Sequence, residues 1–236
     1  MNELTLSRYG IEPSIIIPET NFFTLVVENK KFLLQMLTEL RCQIEDGKND
    51  NDDGLNLSFG GKPVDIEKNA SIIFDFTDIN FNSKTITNLL TKKFAEFLGL
   101  GEQSGPLMNL EAIILNLAEN FRLKSGLNIE YDAVMNGSNL AKVCSLKIAD
   151  DKRGLLERLC EYVNLLCDLK PLKLLILVFG KEFLSKMGID NFYKHCCDKN
   201  VRVLIIEGID KTGLLENERR LIIDADLCTI PLGYAD

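Results

Sequence analysis

The chain has a single histidine, His195, and no glycine-rich phosphate loop. Each absence removes a class of chemistry. A phosphate loop needs Gly, four residues, Gly-Lys, then Ser or Thr, so that backbone N–H groups and the lysine wrap the phosphates. Gly61-Lys62 has Asn56 where the first glycine belongs and Pro63 where the hydroxyl belongs. Gly180-Lys181 has Leu175 and Glu182 there, and Gly47-Lys48 has Cys42 and Asn49. There is no Gly-x-Gly-x-x-Gly fingerprint and no nucleophile elbow. A Ser-His-Asp or Cys-His centre would have to use His195 alone. The seven cysteines contain no Cys-x-x-Cys pair. Cys160 and Cys167 share one apolar helix face and read as buried thiols. Cys196-Cys197 beside His195 leaves a redox or metal reading open, but no second histidine completes a site. The apolar runs fall short of the ~18 residues of a transmembrane span, and Met1-Asn2-Glu3 does not open a signal peptide. The expectation is a soluble, cytoplasmic protein.

What is present suits a large core. The chain has 236 residues, 46% hydrophobic, enough for one large domain or two small ones. Leu174-Leu175-Ile176-Leu177-Val178-Phe179 and Val203-Leu204-Ile205-Ile206 do not alternate in polarity, so they predict strands buried on both faces of a parallel sheet. Residues 182–199 between them are long enough for a crossover helix. This is a βαβ unit, the core of nucleotide-binding folds, on a scaffold without the phosphate loop.

The rest of the pattern is mixed. Strands are predicted at 14–17, 22–27 and 71–76, and a helix over 30–44. The Glu28-Asn29 turn is too short and glycine-free to cradle phosphates. Asn49, Asn51, Asp53 and Gly54 mimic the start of an EF-hand loop, but Gly60 stands where the bidentate Glu belongs, so the segment reads as a solvated turn. Residues 55–66 alternate around Gly60-Gly61 as a hairpin. Residues 82–126 are helical in pattern. One helix over 84–98 turns Ile86, Leu89, Leu90, Phe94 and Phe97 inward, and a second starts near Pro106 and stops at Gly126. A short helix at 137–144, a strand at 145–148 and a helix at 151–169 follow.

Glu130 and Asp132 are two apart, so in an extended stretch their carboxylates point the same way and can share a hard cation such as calcium, which takes six to eight oxygens. Two carboxylates are also what an exposed loop carries, and Glu119, backbone carbonyls or water would have to add ligands. Lys92, Lys93, Arg122, Lys124, Lys142 and Lys147 are the densest basic residues of the middle third. Singly each reads as a solvated charge; together they can line one face and meet phosphates. The net charge of −8 argues against a general polyanion binder but not against a local basic surface.

The order of segments resembles the Csn-two family, the spacer-acquisition accessory protein of type II-A CRISPR systems. The likeness is carried by Phe23-Thr24-Leu25-Val26-Val27-Glu28 and by Leu127-Asn128-Ile129-Glu130-Tyr131-Asp132, close to that family's Leu-Asp-Leu/Ile-Glu-Tyr-Asp. Leu140-Ala141-Lys142 with Lys147 carries it too, as does LLILVF (174–179) paired with VLIIEG (203–208). The resemblance implies a P-loop-ATPase-like α/β head lacking nucleotide-binding motifs, with an inserted α-helical leg subdomain: head 1–81 and 143–236, leg 82–142. It implies a homotetrameric ring threading double-stranded DNA, calcium near the head–leg junction, and work alongside the CRISPR integrase subunits and the RNA-guided effector nuclease. It attributes no catalysis to the family. By that likeness Glu130 and Asp132 are the calcium candidates, and Lys142 and Lys147 the foremost DNA candidates. Ala133, where the family often has an acid, and a longer N-terminus are departures. A degenerate nucleotide-dependent α/β enzyme and a pure interaction scaffold remain the alternatives.

Overall fold

The computed structural model describes residues 3–8, 10–45, 55–99, 104–132, 136–149, 154–210 and 213–233. The EF-hand-like turn at 49–54, Ala133 and the expected helix start at 151 lie outside them. In chain order the elements are β1 (Leu4–Arg8), β2 (Ile11–Ile17), β3 (Phe22–Val27), α1 (Lys30–Glu45), β4 (Asn56–Phe59), β5 (Lys62–Val64), the single turn α2 (Ile66–Asn69) and β6 (Ala70–Ile73). Three helices follow, α3 (Lys84–Leu98), α4 (Ser104–Ser125) and α5 (Gly137–Cys144). The chain then runs through α6 (Leu155–Leu169), β7 (Leu174–Val178), the turn α7 (Gly180–Phe183), α8 (Lys186–Asp198), β8 (Arg202–Glu207), β9 (Glu218–Ile223) and β10 (Thr229–Leu232). Two compact units result: Met1–Asn80 with Asp151–Asp236, the head, and Phe81–Asp150, the leg.

The head is built on a six-stranded sheet in the order β10-β9-β3-β8-β7-β6. The strands from β9 to β6 run parallel and β10 closes one edge antiparallel. The runs without polar alternation are its central strands: all of β3 and β7 and nearly all of β8 are buried. Side chains on each strand alternate between the faces. Phe23, Leu25, Ile176, Leu204 and Leu221 join a core with Leu33, Met36 and Leu40 of α1. A second, antiparallel sheet, β2-β1-β4-β5, adds Leu4, Leu6, Ile15, Ile17 and Leu57 to the same core. Arg8 fastens that sheet to α1, paired at 2.8 and 2.9 Å with the Glu39 carboxylate and lying 4.6 Å from the Phe32 ring centroid. At ~1.5–3 kcal/mol per fully buried aliphatic or Phe side chain, this core is what offsets the entropy of ordering the chain.

The structure departs from the sequence pattern at definite places. Ile66 does not continue the hairpin, because the Asp65 carboxylate accepts the Lys68 N–H (3.3 Å) and starts α2 instead. The strand expected at 71–76 ends at Ile73, since Asp75 folds back onto the Thr77 N–H and hydroxyl. Residues 145–148 are not a strand. Ser145 is left-handed (φ 49°), and the Asn82 side chain takes up both polar groups of Ile148, at 2.8 and 3.0 Å. That pairing keeps the tract with the leg helices. α6 begins at Leu155, capped by Gly154.

Candidate functional site

In the leg, α3 and α5 pack closely. A Cβ on Gly137 would collide with the backbone and methyl of Ala95, so this approach admits glycine alone. Asn136 caps α5 by accepting the Asn139 N–H at 2.8 Å, and Leu140 and Ala141 are buried. Lys142 therefore emerges exposed in the last turn of α5, with Lys147 exposed on the tract that follows. Among the described residues neither has an acidic partner. Lys92 and Lys93 are exposed on α3, Lys92 reaching Glu96 only at 4.0 Å. The structure thus gathers four of the six basic candidates on the α3–α5 pair and its outgoing tract.

α4 differs. No described side chain of α4 is buried, and Met108 (68%), Ile113 (58%), Leu117 (65%), Phe121 (60%) and Leu123 (66%) stand exposed. Phe97 of α3, expected inward, is exposed as well. Lys124 is exposed at the end of α4, but the Arg122 guanidinium is held bidentately by Glu119, at 2.7 and 2.8 Å.

At Gly126 (φ 66°) the chain leaves α4 through a left-handed turn and runs on as the Leu127–Asp132 tract, without regular secondary structure. The Tyr131 hydroxyl donates to Glu119 at 2.5 Å. Arg122 first, and then that hydroxyl, hold the Glu119 carboxyl down to about 2; the carboxylate in turn pushes the Tyr131 phenol up. Glu130 and Asp132 flank Tyr131, both exposed and without side-chain partners among the described residues. Hard oxygen donors on an irregular tract, whose carbonyls no helix or ladder consumes, fit a cation of the calcium type in kind. Among the described residues no group of three or more acids, histidines or cysteines is placed to hold a metal.

Two features of the head bear on chemistry. The turn between β3 and α1 stands where a phosphate loop would open the parallel sheet. There Asn29 caps α1 with its own carbonyl oxygen, accepting the Phe32 N–H at 3.1 Å, and its amide donates to the Ala225 carbonyl at 2.9 Å. The helix N-terminus that would attract a phosphate is filled by its own side chain. The thiol–histidine group is dispersed: Cys196 is buried and pushed up by that burial, Cys197 faces the Glu19 carbonyl at 3.8 Å, and His195 bonds Asn164 at 3.1 Å.

The sequence pattern missed a buried charge network in the head. Glu218 accepts from Lys181 (2.5 Å) and Arg220 (2.8 Å), Arg220 also pairs with Asp210, and Glu207 accepts the Lys181 N–H at 2.8 Å. The signal available was Glu218-Arg219-Arg220 opening an otherwise apolar stretch.

No curated protein sequence matches the chain. Among solved structures it has a distant likeness to a chain described as an ABC transporter ATP-binding protein from Pyrococcus furiosus, at 9% identity and a TM-score of 0.38, over 92% of this chain and 96% of that one. It resembles Stu0660 of Streptococcus thermophilus at 14% identity and a TM-score of 0.56, over 94% of this chain and 75% of that one, which establishes a shared fold. The model of the family described as CRISPR-associated protein (Cas_Csn2) matches residues 48–227. The chain belongs to that CRISPR-associated family.

Proposed function

We propose that this chain is a non-enzymatic protein that binds double-stranded DNA as a homotetrameric ring during acquisition of new CRISPR spacers, alongside the integrase subunits and the RNA-guided nuclease. The observation that carries the reading is the leg surface, where Lys142 and Lys147 stand exposed with no acidic partner among the described residues. The leg has seven basic and seven acidic residues, so the excess of acid belongs to the head. Affinity for duplex follows such local cations rather than the net charge. Self-association supplies a cover for the exposed apolar residues of α4, because a patch of that kind on a soluble chain marks an interface. A symmetric ring repeats each lysine four times around the duplex. Calcium on Glu130 and Asp132 would fix the acidic tract while leaving the lysines to the phosphates. Asn29 capping α1 supports the reading without nucleotide chemistry.

The test is charge reversal. Lys142→Glu and Lys147→Glu are expected each to weaken duplex binding by about 100-fold or more and to lower the salt slope, each neutralised phosphate contributing ~0.9. Tetramer mass and melting temperature stay unchanged. Unaltered affinity and slope in both variants would place the DNA on another surface.

A further inference from the structure

We infer that Tyr131 is the positioning residue of the acidic tract: through its hydroxyl the Glu119–Arg122 pair clasps the tract onto the last turns of α4 and sets where Glu130 and Asp132 stand. The inference deepens the cation reading above and rests on it only for the identity of the ion.

The geometry is a chain reversal. Glu119 lies seven residues before Gly126, about 10 Å along the helix axis. After the left-handed turn at Gly126, five residues suffice to bring Tyr131 back beside Glu119. Glu119 accepts three hydrogen bonds there, one oxygen accepting an Arg122 nitrogen and the other accepting both Arg122 Nε and the Tyr131 hydroxyl. Its carboxylate is engaged by Arg122 and Tyr131, and its part in the clasp is to hold Tyr131. At the turn itself the Leu127 N–H donates to the Ser125 hydroxyl at 3.4 Å. Beyond the turn, Tyr131 is the side chain that ties the tract to α4 among the described residues. Its placement between Glu130 and Asp132 leaves those two carboxylates turned to solvent on a fixed base. A cation shared by them is then held at a defined place relative to α4, the helix whose apolar residues a second copy would cover.

Tyr131→Phe removes the hydroxyl and keeps the ring. In calcium-free protein, the NMR backbone order parameters of 128–132 are expected to fall to about 0.6 or below, where ordered backbone gives ~0.85, with melting temperature unchanged. In calorimetric titration with calcium, the dissociation constant is expected to rise about tenfold, the scale of losing an outer partner of a ligand. Glu119→Gln, which weakens the same clasp from the α4 side, is expected to match it. If the order parameters of 128–132 in Tyr131→Phe equal wild type, the clasp does not hold the tract and the inference falls. If wild type takes up no calcium, the cation reading falls, while the order parameters still decide the clasp. If they fall but calcium affinity is unmoved, Tyr131 holds the tract without positioning ligands, which overturns the inference as well.

Discussion

Leu177 in the head is 1% exposed, and Leu117 in the leg is 65% exposed. The two residues stand for their regions. The head encloses its apolar side chains between a parallel sheet, helices on both faces and a second sheet. The leg packs α3 against α5 and leaves Met108, Ile113, Leu117, Phe121 and Leu123 of α4 exposed. Charge divides the same way, with acidic excess confined to the head and a balanced leg in which Lys142 and Lys147 have no acidic partner among the described residues. A region that satisfies itself needs no other chain for its stability. A region that leaves the apolar residues of one helix exposed, and Lys142 and Lys147 without an acidic partner among the described residues, is the surface on which the proposed recognition rests. On the function proposed above, the head carries the stability and the leg the recognition.

The largest expected effect breaks the head alone. Glu218 is 2% exposed and Arg220 1% exposed, and removing one partner leaves the others buried without their counter-charge. Glu218→Ala or Arg220→Ala is expected to cost about 3–5 kcal/mol in denaturant unfolding, the usual scale for breaking a buried pair. Purified protein that still folds should retain the DNA affinity of wild type. A loss below ~1 kcal/mol would mean that water reaches the network.

The leucine pair sharpens the comparison next. Leu177→Ala is expected to cost about 2–5 kcal/mol, because it leaves a cavity in a packed core. Leu117→Ala, chemically identical, is expected to change monomer stability by no more than about 0.5 kcal/mol. It should instead weaken self-association, read by sedimentation. Equal destabilisation by both variants would show that α4 is buried within the protomer in solution.

The same contrast explains what could be read from the sequence. The strands β3, β7 and β8 and the helices α1, α3 and α5 were legible to within a residue or two, because continuous apolar runs and helical periodicity are local signals. β1 escaped because Leu4–Arg8 is short and its partners lie at 11–17 and 56–59, and only pairing reveals it. β9 escaped because Glu218 and Arg220 look like surface, until their own pairing, Asp210 and the more distant Lys181 neutralise them. The strand expected at 145–148 failed for a related reason: Asn82, 66 residues away, supplies the hydrogen bonds a neighbouring strand would have supplied. In the leg, the candidate residues were legible as residue types, but their roles were not. Glu119 read as a spare ligand, and only the fold shows it spoken for by Arg122 and Tyr131.

The smallest effect concerns a lysine placed as the leg's lysines are not. Lys170, at the end of α6, is buried, and its ammonium donates to the carbonyls of Glu67 (3.1 Å) and Ala70 (2.5 Å). Burial pulls it down to about 8 from the ordinary 10.5, against the opposing pull of Glu67 and Asp65. Below pH 8 both folded and unfolded chains hold the proton, and the folded state bears the full cost of the buried charge. Between pH 8 and 10.5 the unfolded chain binds more protons, so this group makes stability rise with pH across that window. From pH 7.5 to 9.5 the gain is about 2 kcal/mol. Lys170→Met removes the titration, so the stability difference between variant and wild type should shrink or change sign by that amount over the window. A difference that stays flat with pH would mean that water solvates the ammonium at the end of α6, and the head would be less closed there than its core implies.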